Sequence, residues 1–168
     1  MAFWSDSNLN PKRKNRFLVT IGDLPQYLAK SAGKPSFSIN NHEHNFLNHK
    51  FNFPGMISWD PIEITFVDAG DSGDDTASAL YQLLTNSGYV TPGDENAARN
   101  NAINKSSATS AAGQIIIEQI DETGSPIETS TLHNAWIESV SFGDVSYEDD
   151  GIVELTVSIR YDWAEIEG

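Results

Sequence analysis

The stretch from 152 to 163, IVELTVSIRYDW, decides how this sequence folds. Val153, Leu155, Val157, Ile159, Tyr161 and Trp163 fall on one side of an extended chain, and Glu154, Thr156, Ser158, Arg160 and Asp162 fall on the other. Side chains alternate across a strand with a period of two. Unbroken alternation of this length therefore predicts a β-strand with one face on a core and the other facing water or a polar lumen.

Working back toward the amino terminus, IETSTLHNAWIESVSFG (127–143) predicts further strand, with Trp136, Val140 and Phe142 on one face. QIIIEQID (114–121) predicts another strand, followed by a turn from Glu122 to Gly124. RFLVTIG (16–22) alternates Phe17, Val19 and Ile21 with Leu18 and Thr20. SFSIN, HNFLNHKFNFPG and ISWDPIEITFVD (between 36 and 68) are rich in aromatic and β-branched residues. They are expected to form a pair of long strands joined at Pro54-Gly55, with Phe51 and Phe53 on one face matched by Ile62, Ile64 and Phe66 on the returning strand.

One helix is expected. TASALYQLLTNSG (76–88) carries Leu80, Leu83 and Leu84 at helical spacing, DAGDSGDD (68–75) supplies an N-cap, and Gly88 ends it. PGDENAARNNAINKSSATSAAG (92–113) is poor in apolar residues. The segment 89–113 is expected to be a long polar loop, with at most a helical turn around Ala97 to Ile103. About seven strands and one helix in 168 residues predict a single mainly β domain, a β-sandwich or barrel with one flanking helix.

Charge is unevenly distributed. Residues 1–50 hold seven Lys/Arg against three acids, whereas the remaining 118 hold three basic residues against 21 acids, within a formal net charge of −14. A basic leader (1–15) and an acidic body suggest head-to-tail attraction between copies, and the body lacks the basic stripe of a DNA-binding protein. No run of about 18 apolar residues marks a membrane span, and the basic start has no signal-peptide core, so a soluble protein without a membrane anchor is expected.

Catalytic and metal-binding patterns are missing. There is no cysteine, no G-x-S-x-G elbow and no phosphate-cradling glycine loop. His42, His44 and His49 lie close together but match no zinc spacing, and Asp68, Asp71, Asp74 and Asp75 lack the order of a calcium loop. Neither an enzyme nor a cofactor is expected.

Two blocks, HNFLNHKFNFPGMISWDPIEITFVD (44–68) and AWIESVSFGDVSYEDDGIVELTVSIRYDW (135–163), together with RFLVTIG near the start, resemble the tail-tube proteins of contractile-tailed bacteriophages. The resemblance implies a structural subunit whose hexameric rings form a continuous β-barrel, a hollow conduit for DNA ejection inside a contractile sheath. It implies the virion tail as location, with assembly in the host bacterial cytoplasm. Expected partners are further copies, sheath, baseplate, terminator and tape-measure proteins, and DNA in passing. A baseplate tube initiator and the inner tube of a phage-derived injection system are the alternatives, and a soluble binding module is the rival of a different class.

The resemblance also implies that the region from Phe46 to Phe66 is a hairpin joining neighbours, making Phe46, Phe51, Phe53 and Trp59 candidate contacts. Lys12, Arg13, Lys14 and Arg16 of the leader are candidates for an acidic patch on the next ring. An acidic wall keeps phosphates off a conduit, so Glu154, Thr156, Ser158, Arg160 and Asp162, or the set containing Glu63 and Thr65, are the candidate lumen residues.

Overall fold

A computed structural model describes residues 11–22, 24, 26–70, 75–95 and 102–168. Among them are ten strands and two α-helices, so the chain is mainly β. The strands are β1 (Phe17–Ile21), β2 (Ala29–Ala32), β3 (Phe37–Phe46), β4 (His49–Trp59), β5 (Ile62–Val67), β6 (Ile115–Ile120), β7 (Pro126–His133), β8 (Trp136–Ser141), β9 (Glu154–Arg160) and β10 (Trp163–Glu167). The helices are α1 (Thr76–Asn86) and α2 (Lys105–Ala112).

Two four-stranded antiparallel sheets, ordered β1-β6-β7-β10 and β2-β5-β9-β8, face each other. Between them lies one apolar cluster: Val19, Ile21, Ile115, Ile117 and Leu132 come from the first sheet, and Ile62, Ile64, Phe66, Leu155, Val157 and Ile159 from the second. The alternation of β9 is thus realised, with Leu155, Val157 and Ile159 all fully buried. β3 and β4 form a separate two-stranded ribbon, exposed along nearly its whole length.

Four expectations need correction. The turn joining β3 to β4 is at Leu47-Asn48, and Pro54-Gly55 lies inside β4, where a bulge interrupts the register between Ile39↔Ile57 and Asn41↔Pro54. The Phe51/Phe53 face therefore has no match on β5; the partner of β4 is β3, and Ile62, Ile64 and Phe66 pair with β9. In β8 a bulge at Glu138 sets Ile137 opposite Ile159 and Val140 opposite Val157, while Trp136 lies opposite Arg160, so Trp136 and Val140 take different faces. Trp163 leaves the core face because the chain crosses at Tyr161-Asp162 into the other sheet, where Trp163 is partly exposed and stacks on His133 at 4.8 Å.

The polar segment 89–113 contains α2. Asn104 caps it by accepting from the Ser107 amide, and the Ser107 hydroxyl returns a bond to the Asn104 backbone. Ala108 and Ala112 are buried, so small side chains rather than large apolar ones seat this helix against α1 and β8. The turn expected at 97–103 falls largely on residues outside those described; 102–104 are not helical. At α1 the expected cap is present, with Asp75 accepting from the Ser78 amide at 3.3 Å. Asp71 and Asp74 lie outside the described residues.

Candidate functional site

Among the described residues the distinctive features are surfaces. The first is the outer face of the sheet β2-β5-β9-β8. Glu63 pairs with Ser158 and Thr65 with Thr156, and β8 adds Ser139 opposite Ser158 and Ser141 opposite Thr156. Because their strand neighbours fill the core, these residues must point away from it. The result is a band of small hydroxyl side chains.

At its margins the charges are matched. The Lys30 ammonium donates to Glu154, and Arg160 bonds Glu138 at 2.9 Å. Among the described residues Glu63 has no cationic partner. Asp162 does not belong to this face: its carboxylate accepts from Lys105 at 2.6 Å and from the Asn134 amide at 2.8 Å, at the corner between β9 and β10. Most of the acidic excess lies elsewhere. Asp144, Glu148, Asp149 and Asp150 sit on the β8–β9 connection, and Glu118, Glu165 and Glu167 are carried by the opposite sheet.

The second surface is the β3–β4 ribbon. His42 lies opposite Phe53, His44 opposite Phe51, and Phe46 opposite His49, so six aromatic rings share one face. The other face of this distal half carries Asn41, Glu43, Asn45, Lys50 and Asn52, with a 3.3 Å ion pair between Glu43 and Lys50. Phe46, Phe51 and Phe53 are each roughly half exposed. Trp59, at the ribbon's base, is partly covered, with its ring 5.2 Å from Phe37 and 6.0 Å from the buried Tyr161.

A groove between α1, α2 and β8 forms the third surface. It encloses about 430 Å³ and is lined chiefly by Tyr81, Leu84, Ile103, Ile137, Val140 and Phe142. Exposed hydrophobic side chains at its rim, Leu84, Ile103 and Phe142, give it an apolar mouth. Sequence periodicity finds Leu84 and Phe142 but misses the groove, because its floor depends on α2.

Of the four basic residues expected to reach an acidic patch on the next ring, two pair within their own chain. Lys12 and Lys34 both donate to Glu128, and these two bonds hold the Glu128 carboxyl below its ordinary range. Arg16 pairs with Glu122 at 3.6 Å, and the Arg13 carbonyl accepts from the Gln119 amide. Arg13 and Lys14 keep exposed side chains without an ion-pair partner among the described residues. The histidines of the ribbon do not converge with acids, and among the described residues no group of three metal-ligating side chains gathers.

No family model and no curated protein sequence matches the chain. Solved structures do. A chain in the anti-feeding prophage cap, described as the tube terminating cap, superposes with a TM-score of 0.71 at 19% identity over 99% of both chains. The sheath/tube terminator of the extracellular contractile injection system PVC gives 0.70 at 16% identity over 96% of this chain and 100% of that one. The sheath-tube complex of the same system gives 0.65 at 16% identity, covering 94% and 91%. The two-sheet sandwich with its ribbon and flanking helices is therefore a tail-tube-like fold.

Proposed function

We propose that this chain is a structural subunit of a phage-like contractile tail or injection device, assembling as hexameric rings that stack into a tube, and that it has no enzymatic role. The observation that carries this is the β3–β4 ribbon. An isolated two-stranded ribbon is marginal in water, and this one leaves both faces uncovered. A second copy would supply the missing cover. The sheet β2-β5-β9-β8 has free edges at β2 and β8, and head-to-tail pairing of these edges closes a ring whose wall is continuous.

In that ring the hydroxyl-rich face would line the lumen, with Glu63, Thr65, Thr156 and Ser158 toward the cargo and Glu154 and Arg160 held in ion pairs. Asp162 is left out because its bonds tie it to Lys105 and Asn134. A wall of hydroxyls with paired charges suits passage without adhesion for DNA as for a protein cargo. Sheath, baseplate, terminator and tape-measure proteins would be its partners in the virion tail, after assembly in the host cytoplasm. Arg13 and Lys14 remain candidates for inter-ring contact; Lys12 and Arg16 are held by their own chain.

Negative-stain microscopy and sedimentation of the purified chain test this. Rings or tubes of uniform diameter are expected, and removal of 40–55 should leave a folded monomer. A strictly monomeric intact chain at high concentration would refute it. Likeness to the cap and terminator structures favours one second possibility, a tube terminator, which would give single rings that never elongate.

A further inference from the structure

Several elements meet where α2 begins. Asn104 caps that helix and Lys105 is its first residue, Trp136 opens β8, Arg160 closes β9, and Asp162 stands at the corner before β10. With Trp59 from the end of β4 and the buried Tyr161, they surround a cavity of about 460 Å³. We propose that this cavity binds a neutral pyranose sugar, with the C–H face of the ring against the indoles of Trp59 and Trp136 and its hydroxyls on Asn104, Arg160 and Asp162.

The ligand class follows from which bonding capacity is already spent. Asp162 takes both of its bonds on Oδ2, from Lys105 at 2.6 Å and from the Asn134 amide at 2.8 Å, which leaves Oδ1 to accept. Arg160 donates to Glu138 through Nε and Nη2, each at 2.9 Å, which leaves Nη1 to donate. Asn104 accepts from the Ser107 amide with its side-chain oxygen, so its NH₂ group is left to donate as well.

Charge decides against a phosphate or carboxylate ligand. Lys105 is matched by Asp162 and Arg160 by Glu138, so an anion would have to displace a carboxylate that already holds its cation. A neutral ligand need not. Hydroxyls both donate and accept, and a polyol can therefore serve the spare donors and the spare acceptor together.

The aromatic walls select a ring among polyols. Trp59 and Trp136 are both partly exposed, and the Trp59 ring is set by Tyr161 at 6.0 Å and Phe37 at 5.2 Å. A pyranose has an apolar C–H face and a polar hydroxyl edge, the same division as two indoles beside a hydrogen-bonding rim. The polar groups are held by their own ion pairs and cap before any ligand arrives, which lowers the ordering cost of binding. For a monosaccharide this predicts a Kd on the order of 1 mM.

Saturation-transfer NMR on the full-length chain tests this, with the methyl glycosides of glucose, galactose, mannose and N-acetylglucosamine, and with AMP as an anionic ring compound, each at about 10 mM. At least one glycoside should bind, with the strongest saturation on its C–H face. Trp136→Ala should weaken it about tenfold. Asn104→Ser keeps a helix cap but loses the amide donors, so it should fold as wild type and weaken binding about fivefold. Trp163→Ala, on the other sheet, should change it less than about twofold.

Absence of binding by every glycoside overturns the proposal, and binding of AMP in their place overturns the ligand class. Equal weakening by Trp136→Ala and Trp163→Ala, or none by Asn104→Ser, overturns the location. The cavity belongs to a single chain, so each of these results leaves the tube role standing.

Discussion

The ammonium of Lys105, at the start of α2, lies 2.6 Å from the carboxylate of Asp162, at the corner where the chain passes from one sheet to the other. Asn134, in a left-handed conformation at φ 53°, donates to the same carboxylate, and the Asp162 amide bonds the His133 carbonyl. One acidic side chain thus ties together a helix and two strand corners. The Lys105 bond, then the Asn134 bond, lowers its proton affinity below the ordinary value near 3.8. A carboxyl lowered on folding stabilises above its unfolded value and loses that contribution as pH falls through the folded one. Asp162→Asn should therefore flatten the fall in melting temperature below about pH 4. At neutral pH the cost should stay under about 1 kcal/mol, because the pair is largely exposed.

Ile64 and Val157 are cross-strand partners, both fully buried. Ile64→Ala removes three carbons from the centre of the sandwich. Urea unfolding should show a loss of about 2–5 kcal/mol, with the fold retained if the starting stability allows.

Gly143 follows β8 at φ +73°, and a Cβ there would stand 2.5 Å from the Glu154 carbonyl oxygen. Gly143→Ala meets both backbone strain and a collision with β9. A loss of about 1–3 kcal/mol is expected in the same unfolding measurement. Gly124→Ala is the comparison: its φ is +85° but nothing lies within 4 Å of the added carbon, so its cost should be the smaller of the two.

Among the described residues, Glu63 is a charge without an ion-pair partner on the hydroxyl-rich face. In a ring it would recur once per subunit, and Glu63→Lys would turn a circle of negative charges into a positive one. Tubes of Glu63→Lys should form as wild type but retain single-stranded DNA at low salt, releasing it as salt is raised. Filter retention measures this, and identical behaviour of the two proteins would place Glu63 outside the lumen.

Where residues pack only on the core, the sequence was readable. Leu155 to Ile159 announce β9 through strict alternation, and the apolar runs of β1, β5 and β6 do the same. Alternation does not report which partner a strand takes. Pro54-Gly55 carries a turn composition, yet here glycine makes room for the His42 ring, and the reversal falls on Leu47 at φ 54°. The continuous parity from Tyr161 to Trp163 likewise hides a change of sheet, because the bonds that pin Asp162 come from residues 28 and 57 positions away. α2 escaped notice for a different reason: alanine and serine bury little area each, so its amphipathic signal is faint.

The candidate wall residues other than Asp162 proved to share one face, while the groove, made by α2, left no mark in the periodicity.

The bulge in the ribbon has a further effect. β4 gains one residue against β3 between Pro54 and Ile57, which reverses the parity of its side chains. Nearer the body, Phe37, Ile39, Ile57 and Trp59 share one side of the ribbon; beyond the bulge, the aromatic rings of His42 to Phe53 occupy the other. The ribbon is therefore a clip with jaws opening in opposite directions, the inner one resting through Trp59 on Tyr161 of its own chain and the outer one left open. A single inserted residue separates holding on from reaching out.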